Sequence, residues 1–206
     1  MAETIEEFVT ERGIKCLLHF TNLTNLASIL EHGLLPKGEL HLADVEYTCN
    51  DTMRLDGTDA VCASISFPNY KMFWGLRQEQ PNDEWVILVI YARVLFEARC
   101  AFCPTNAASA SVTMIPLEER MTLAALQGMY GDFEGTARSE LKLPNHYTTN
   151  PQAEVLLLDG VPKDYLAGVL VATESLKAKL KATHTGLRVK LSPPHFLYRH
   201  DYEHWR

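Results

Sequence analysis

Three short segments carry residue types that could do chemistry, and each interrupts the pattern around it. The first is His19-Phe20-Thr21, at the end of an apolar run and just ahead of a helix start. A histidine leaving a strand beside a capped helix offers ring nitrogens and backbone groups to a polar ligand. The plain alternative is a ring satisfied by backbone. The second is Arg54, in the acidic stretch Asn50-Asp51-Thr52-Met53-Arg54-Leu55-Asp56. A guanidinium is a rigid fork of donors that suits phosphate or ribose oxygens. An ion-paired surface arginine is the alternative. The third is Gln152-Ala153-Glu154, between a polar loop and the apolar run Val155 to Leu158. Gln152 and Glu154 are two apart, so on an extended chain they share a face. A carboxylate held against apolar strand residues stabilises nearby positive charge strongly. A glutamate guarding a strand edge is the alternative.

Each segment needs an element to hold it. Glu3 to Glu11 reads as a short helix closed by Gly13, and Cys16 to Phe20 as an apolar strand. Thr24 resembles an N-cap, and Leu26, Ile29 and Leu30 fall at helical spacing before Gly33 and Pro36. Residues 37–60 read as a long polar loop with little regular structure. Val61 to Phe67 alternates like a strand, Pro68-Asn69 breaks it, and Tyr70 to Arg77 reads as a helical turn or short helix. Trp85 to Tyr91 is almost continuously apolar, as in a strand buried on both faces. Val94 to Phe96, Ala101-Phe102 and Ser111 to Ile115 are weaker strand expectations. Leu117 to Met129 carries a helical stripe and residues 130–150 are again polar. Glu154 to Leu158, Gly168 to Ala172 and Arg188 to Leu191 read as strands, and Glu174 to Ala182 as a helix. Neither a repeat nor a linker is visible, so one domain over 1–206 is expected. Short strands mixed irregularly with helices indicate an α+β fold.

Bulk properties narrow the function classes. The chain has 206 residues and a formal net charge of −7, which argues against coating duplex DNA through bulk charge. A local basic groove is compatible with that balance. The acidic start lacks an apolar core of signal-peptide length, and the longest apolar run is too short to span a bilayer. A cytoplasmic protein with no membrane role is therefore expected. The five cysteines include one C-x-x-C pair, Cys100 and Cys103, without a second pair at zinc-finger spacing, so no metal is expected. There is no phosphate-binding glycine loop and no H-E-x-x-H. A cysteine–histidine hydrolase stays open, because spatial pairing is invisible in a sequence.

Taken in order, these segments resemble the DarT family of DNA ADP-ribosyltransferase toxins. The pieces that carry the resemblance are HFTNLTNLASILEHGLLP (19–36), NDTMRLDG (50–57), ISFPNYKMF (65–73) and NPQAEVLL (150–157). The stretch WVILVIYARVLFEARCAFCPTNAAS (85–109) looks like the middle of the guanine-modifying branch. The resemblance implies an ADP-ribosyltransferase-like fold, a split central β-sheet with flanking helices, and NAD as co-substrate. It places His19 and Thr21 near the nicotinamide end of NAD, with Asn25, Gly33, Leu34, Tyr70 and Met72 also on the cofactor side. Arg54 matches a family arginine needed for catalysis and Glu154 the catalytic glutamate. Residues 139–153 match the segment that engages the acceptor base. Single-stranded DNA contacts are expected from Gln152, Arg138, Lys142, His146, Tyr147, Thr149 and Asn150, a basic and aromatic mixture. Thymine-modifying members usually have a more aromatic stretch where this chain has SISFPNYKMF, which tilts the expectation to guanine. A toxin role and a macrodomain-type antitoxin partner are implied as well. Rival readings are transfer to thymine, RNA or protein, and a silent module that binds nucleotide or nucleic acid.

Overall fold

The computed structural model describes residues 2–42, 48 and 57–206. Thr4 caps α1 (Ile5–Arg12) by accepting a hydrogen bond from the Glu7 N–H, and Gly13 ends it in the left-handed conformation. β1 (Cys16–Asn22) follows, then a 3₁₀ turn and α2 (Leu26–His32). α3 (Lys37–Leu42) lies where the sequence reads as loop; Pro36 starts it, its carbonyl accepting from the N–H groups of Glu39 and Leu40. After β2 (Val61–Ile65) come α4 (Tyr70–Glu79) and β3 (Trp85–Tyr91).

Two expected strands are helical turns. Val94 to Phe96 lies in α5 (Val94–Glu97), and much of Ser111 to Ile115 in α6 (Ala110–Thr113). Their apolar runs are too short for spacing to separate the two periods, and burial of Val94, Leu95 and Val112 satisfies either. β4 (Cys100–Cys103) sits between them. The single helix expected over 117–129 is two, α7 (Leu117–Arg120) and α8 (Leu123–Gly128). Thr122 makes the break: its backbone is extended and its hydroxyl accepts from the Ala125 N–H, so it caps α8. The chain closes with β5 (Glu154–Leu157), β6 (Leu166–Val171), α9 (Glu174–Thr183) and β7 (Val189–Leu191).

Among the described residues, seven strands form one sheet in the order β4-β5-β2-β1-β3-β6-β7. All neighbours are antiparallel except β6 and β7. One face is covered by α1, α2, α5, α8 and α9, whose Phe8, Leu26, Leu95, Leu126 and Leu180 join one large core. The other face carries two smaller cores. One is Phe73 of α4 and Phe196 against Leu18, Ile87 and Leu170; the other is Val112 of α6 against Ala101 and Leu156.

The sheet is split along its middle. β1 pairs with β3 over its whole length, from Cys16 opposite Tyr91 to Asn22 opposite Trp85. Against β2 it pairs only at Leu17–Ile65 and Leu18–Ser64. The first half of β2, Val61 to Ala63, pairs instead with β5. Beyond Leu18 the two strands part, and a gap opens between them. At the β6–β7 edge, Gly168 has φ +144, and an added Cβ would come within 2.4 Å of the Arg188 carbonyl oxygen. A Gly168→Ala variant should lose roughly 1–3 kcal/mol of stability through backbone strain. A lowered urea midpoint, with an unchanged slope, is the expected measurement.

Candidate active site

The gap between β1 and β2 is the mouth of a cavity. It is lined by His19, Phe20 and Thr21 of β1, Asn25 and Ile29, the Gly33-Leu34 turn, Ala60 to Ser64, Asn69, Met72, Asn106 and Glu154. Its lining is largely apolar with a few converging polar groups, the usual make-up of a ligand site. Where strand pairing stops, side chains take over. His19 Nδ1 lies 2.7 Å from the Cys62 carbonyl oxygen and bridges the parted strands.

Thr21 and Asn25 form the next layer. The Asn25 amide donates to Thr21 Oγ1 at 3.0 Å and to the Thr48 carbonyl, while its own oxygen accepts from the Thr48 N–H. This pairing fixes residue 48 against the start of α2. Gly33, at φ +86, ends α2 where any Cβ would strike the Val161 carbonyl oxygen, and Leu34 bonds to Val161 in both directions. The 33–34 turn is thereby pinned as one wall.

Glu154 opens β5 opposite Cys103 of β4 and is only 6% exposed. Its Oε2 accepts from the Ala107 backbone N–H at 2.8 Å. Its Oε1 is approached by the side-chain amides of Asn69, at 3.5 Å, and Asn106, at 3.4 Å. Neutral donors fix the orientation of a carboxylate without cancelling its charge. Asn69 is placed by a tight reversal after β2: Ser66 adopts φ +62, and the Asn69 N–H donates to Ser64 Oγ. The Asn69 oxygen also caps α4 by accepting from the Met72 N–H, which swings Met72 into the cavity wall. Asn106 is held by its own turn, its oxygen accepting from the Ala108 N–H. The sequence reading missed Asn69 and Asn106. The available signal was Pro68-Asn69 ahead of a helical run, an N-cap pattern read there only as a strand breaker.

The other expected positions divide. His19, Thr21, Asn25, Gly33, Leu34, Met72 and Glu154 meet in one cavity. Tyr70 does not line it. That ring is buried on the far side of α4, where burial and then the Asp201 charge push its phenol up to about 12 against the opposing pull of Arg199. Arg54 lies outside the described residues. In the 130–150 stretch, Thr149 and Asn150, expected as contacts to DNA, are buried. The Thr149 N–H donates to the Met129 carbonyl and the Asn150 side chain accepts from the Gln152 N–H, so both serve the loop itself. Arg138 also turns inward, donating to Thr149 Oγ1 and to the carbonyls of Pro144 and Asn145. Lys142 is exposed, and Gln152, His146 and Tyr147 are half-buried.

A clamp from the end of the chain sets this loop, and the sequence reading assigned it nothing. Arg199 is buried and donates to the carbonyls of Thr148 and Thr149 at 2.8 and 2.6 Å. The same guanidinium forks onto both oxygens of Asp201, and the Trp205 indole N–H also donates to Asp201. Cys16 and Cys100 do not have the character of activated thiols. Burial raises the Cys16 thiol, and burial together with the Asp159 charge pushes Cys100 up to about 12, the reverse of what a nucleophile requires. Among the described residues no cluster of three or more His, Cys, Asp or Glu side chains is disposed to hold a metal. No helix among them is long and apolar enough to cross a membrane.

A split mixed sheet with a buried glutamate at the mouth of its gap defines a protein of ADP-ribosyltransferase fold. The chain belongs to the DarT family, whose model, described as ssDNA thymidine ADP-ribosyltransferase, matches residues 18–202. Solved structures share the fold. DarTG of Thermosipho africanus, in complex with ADP-ribose, is 17% identical with a TM-score of 0.59, over 88% of this chain and 51% of that one. The present chain thus spans about half the length of that protein. DarT of Thermus sp. 2.9, in complex with ADP-ribosylated ssDNA, is 14% identical with a TM-score of 0.61, over 90% of this chain and 97% of its own. The same DarT in complex with NAD+ is 16% identical with a TM-score of 0.53, covering 89% of this chain and 98% of its own. A search of curated proteins finds no match.

The Arg199–Asp201 pair makes a pH prediction. Burial acts to raise the Asp201 carboxyl, but the Arg199 hydrogen bonds and charge and the Trp205 hydrogen bond outweigh it, and the group titrates below its usual 3.8. A carboxyl depressed by folding adds stability above its unfolded value and loses it as pH falls toward the folded one. Thermal stability should therefore drop as pH goes below about 4. In Asp201→Asn that acid-side component should vanish, at a cost of about 3–5 kcal/mol at neutral pH from the stranded guanidinium. Melting temperatures of both proteins across pH check it.

Proposed function

We propose that the protein transfers ADP-ribose from NAD to a base in single-stranded DNA, with Glu154 as the catalytic carboxylate. The observation that carries this is a buried glutamate whose orientation is fixed by Asn69, Asn106 and the Ala107 N–H at the gap between β1 and β2. The DarT family and its relatives solved with NAD+ and with ADP-ribosylated ssDNA supply the reaction class.

The cavity residues fit such a substrate. His19, Thr21 and Asn25 provide polar contacts at one end, and Met72 with Phe20 gives an apolar wall for a planar ring. NAD supplies a glycosidic bond to a good leaving group. As that bond breaks, the electron pair departs with nicotinamide and positive charge builds on the ribose, as in glycoside hydrolysis. Glu154 presents a fixed negative charge to that sugar, needing little reorganisation when the charge appears. A nitrogen lone pair of the acceptor base then forms the new bond to the anomeric carbon. The proton it releases goes to Glu154 or to water. Gln152, two residues ahead and half-buried, offers one carbonyl and two amide hydrogens to the edge of a base. Arg54 is proposed to act on the pyrophosphate or on Glu154. A stacked duplex base would be out of reach, which favours single strands.

The base itself is read as guanine. Support comes from the resemblance of residues 85–109 and 65–73 to the guanine branch, and from an edge that carries both an amine donor and a ring-nitrogen acceptor for Gln152. Thymine is the second reading, and the family description favours it. A toxin role, countered by a macrodomain-type antitoxin, follows from the same resemblance.

Glu154→Gln should keep its fold and slow transfer about 100- to 1,000-fold, the usual loss when a preorganised charge-stabilising group is removed. Nicotinamide release measured beside NAD binding separates rate from affinity. Oligonucleotides each lacking one base, followed by mass spectrometry, identify the acceptor. Labelling of a guanine-free strand that contains thymine would transfer the assignment to thymine. Failure of every strand to accept a label would overturn the DNA reading.

A further inference from the structure

Among the described residues, one stretch of sheet surface is left uncovered by the helices. α4 and the turn Pro193–Phe196 shield the middle of that face, around Leu18, Ile87 and Leu170. Beyond them, toward the β6–β7 edge, a second cavity of about 630 Å³ opens over Val89, Gly168 and Leu170. Its lining has a single sign of charge. Arg188, Lys190 and Lys181 border it with His195, and none of its lining side chains is acidic. That is unusual in a chain with 26 acidic against 19 basic residues. Arg188 and Lys190 are two apart beside β6, so they point to the same side of the sheet, and both are exposed.

Aromatic rings connect this cavity to the acceptor loop. His195 is oriented by a 2.8 Å hydrogen bond between its Nδ1 and Ser192 Oγ, and stacks on Phe67 with centroids 5.5 Å apart. Phe67 in turn meets Tyr147 at 5.5 Å. Tyr147 precedes the two carbonyls held by Arg199, and Phe67 lies two residues before Asn69, which donates to Glu154. A run of rings leading to cations on one surface suits a single strand, bases meeting the rings and phosphates the cations. A duplex has no unstacked bases for those rings.

We propose that Tyr147, Phe67 and His195 lead single-stranded DNA from the acceptor site onto Arg188 and Lys190, so that nucleotides flanking the modified base bind on the β6–β7 side of the sheet. This rests on the reading of the protein as an enzyme acting on single-stranded DNA. It adds a binding surface remote from Glu154, and it makes affinity depend on strand length.

The test uses the full chain without NAD and fluorescent single strands of about 16 and about 4 nucleotides, spanning the range of common single-strand sites. The double variant Arg188→Gln, Lys190→Gln should bind the long strand about tenfold more weakly near 0.1 M salt. Its plot of log affinity against log salt should be shallower by about 0.7 per lost charge, about 1.4 for the pair. Binding of the short strand and the basal rate of NAD hydrolysis should match the wild type. An unchanged salt slope for the long strand overturns the track. So does sedimentation showing a wild-type dimer that the variant converts to monomer, which would make this face a self-association surface. A wild type that modifies single strands beside a variant with an unaltered slope fails the track alone. A wild type that modifies no strand fails the underlying reading.

Discussion

The site exists because two strands stop pairing and one histidine ring takes the place of the missing ladder. β1 and β2 share only two opposed residue pairs before they diverge. A bare divergence would leave backbone groups of two central strands without partners, a costly state in a protein interior. The contact between His19 Nδ1 and the Cys62 carbonyl ties the strands together while leaving room for a ligand between them. The surroundings depend on that spacing. Thr21 and Asn25 line the β1 side, and Glu154 is delivered to the other side by β5, which pairs with the half of β2 that has left β1. A continuous sheet would have had no interior place for either ligand or carboxylate.

Neutral donors contribute to the preorganisation of Glu154. Two asparagine amides and the Ala107 backbone N–H impose direction on the carboxylate. Each asparagine does local work as well. Asn69 caps α4 and Asn106 closes its own turn, so the folding of ordinary elements sets the geometry of the carboxylate.

What could be read in the sequence follows from the range of the interactions. Strands with strong apolar runs, β1, β2, β3 and β5, and helices with clear caps, α1 and α9, were legible because their signals are local. His19, Thr21 and Glu154 stood out because polar residues ended apolar runs. Val94 and Val112 misled because an apolar run of three or four residues fits either period. Thr149 and Asn150 belong to a polar stretch yet are buried, because their hydrogen bonds close on Met129 and Gln152 within the fold. The Arg199 clamp left no trace, since the loop groups it holds are about fifty residues away and are backbone carbonyls, which any sequence supplies.

That clamp has a consequence for the order in which the molecule matures. Synthesis runs from the N-terminus, so the ribosome makes β5 and its glutamate well before it makes Arg199. While the nascent chain is still being extended, the carbonyls of Thr148 and Thr149 have no guanidinium to hold them. The carboxylate can settle between its asparagines as soon as the sheet assembles, yet the approach for an acceptor takes shape only after the C-terminal turn has emerged and docked. The carboxylate is thus made before the guanidinium that shapes the loop beside it.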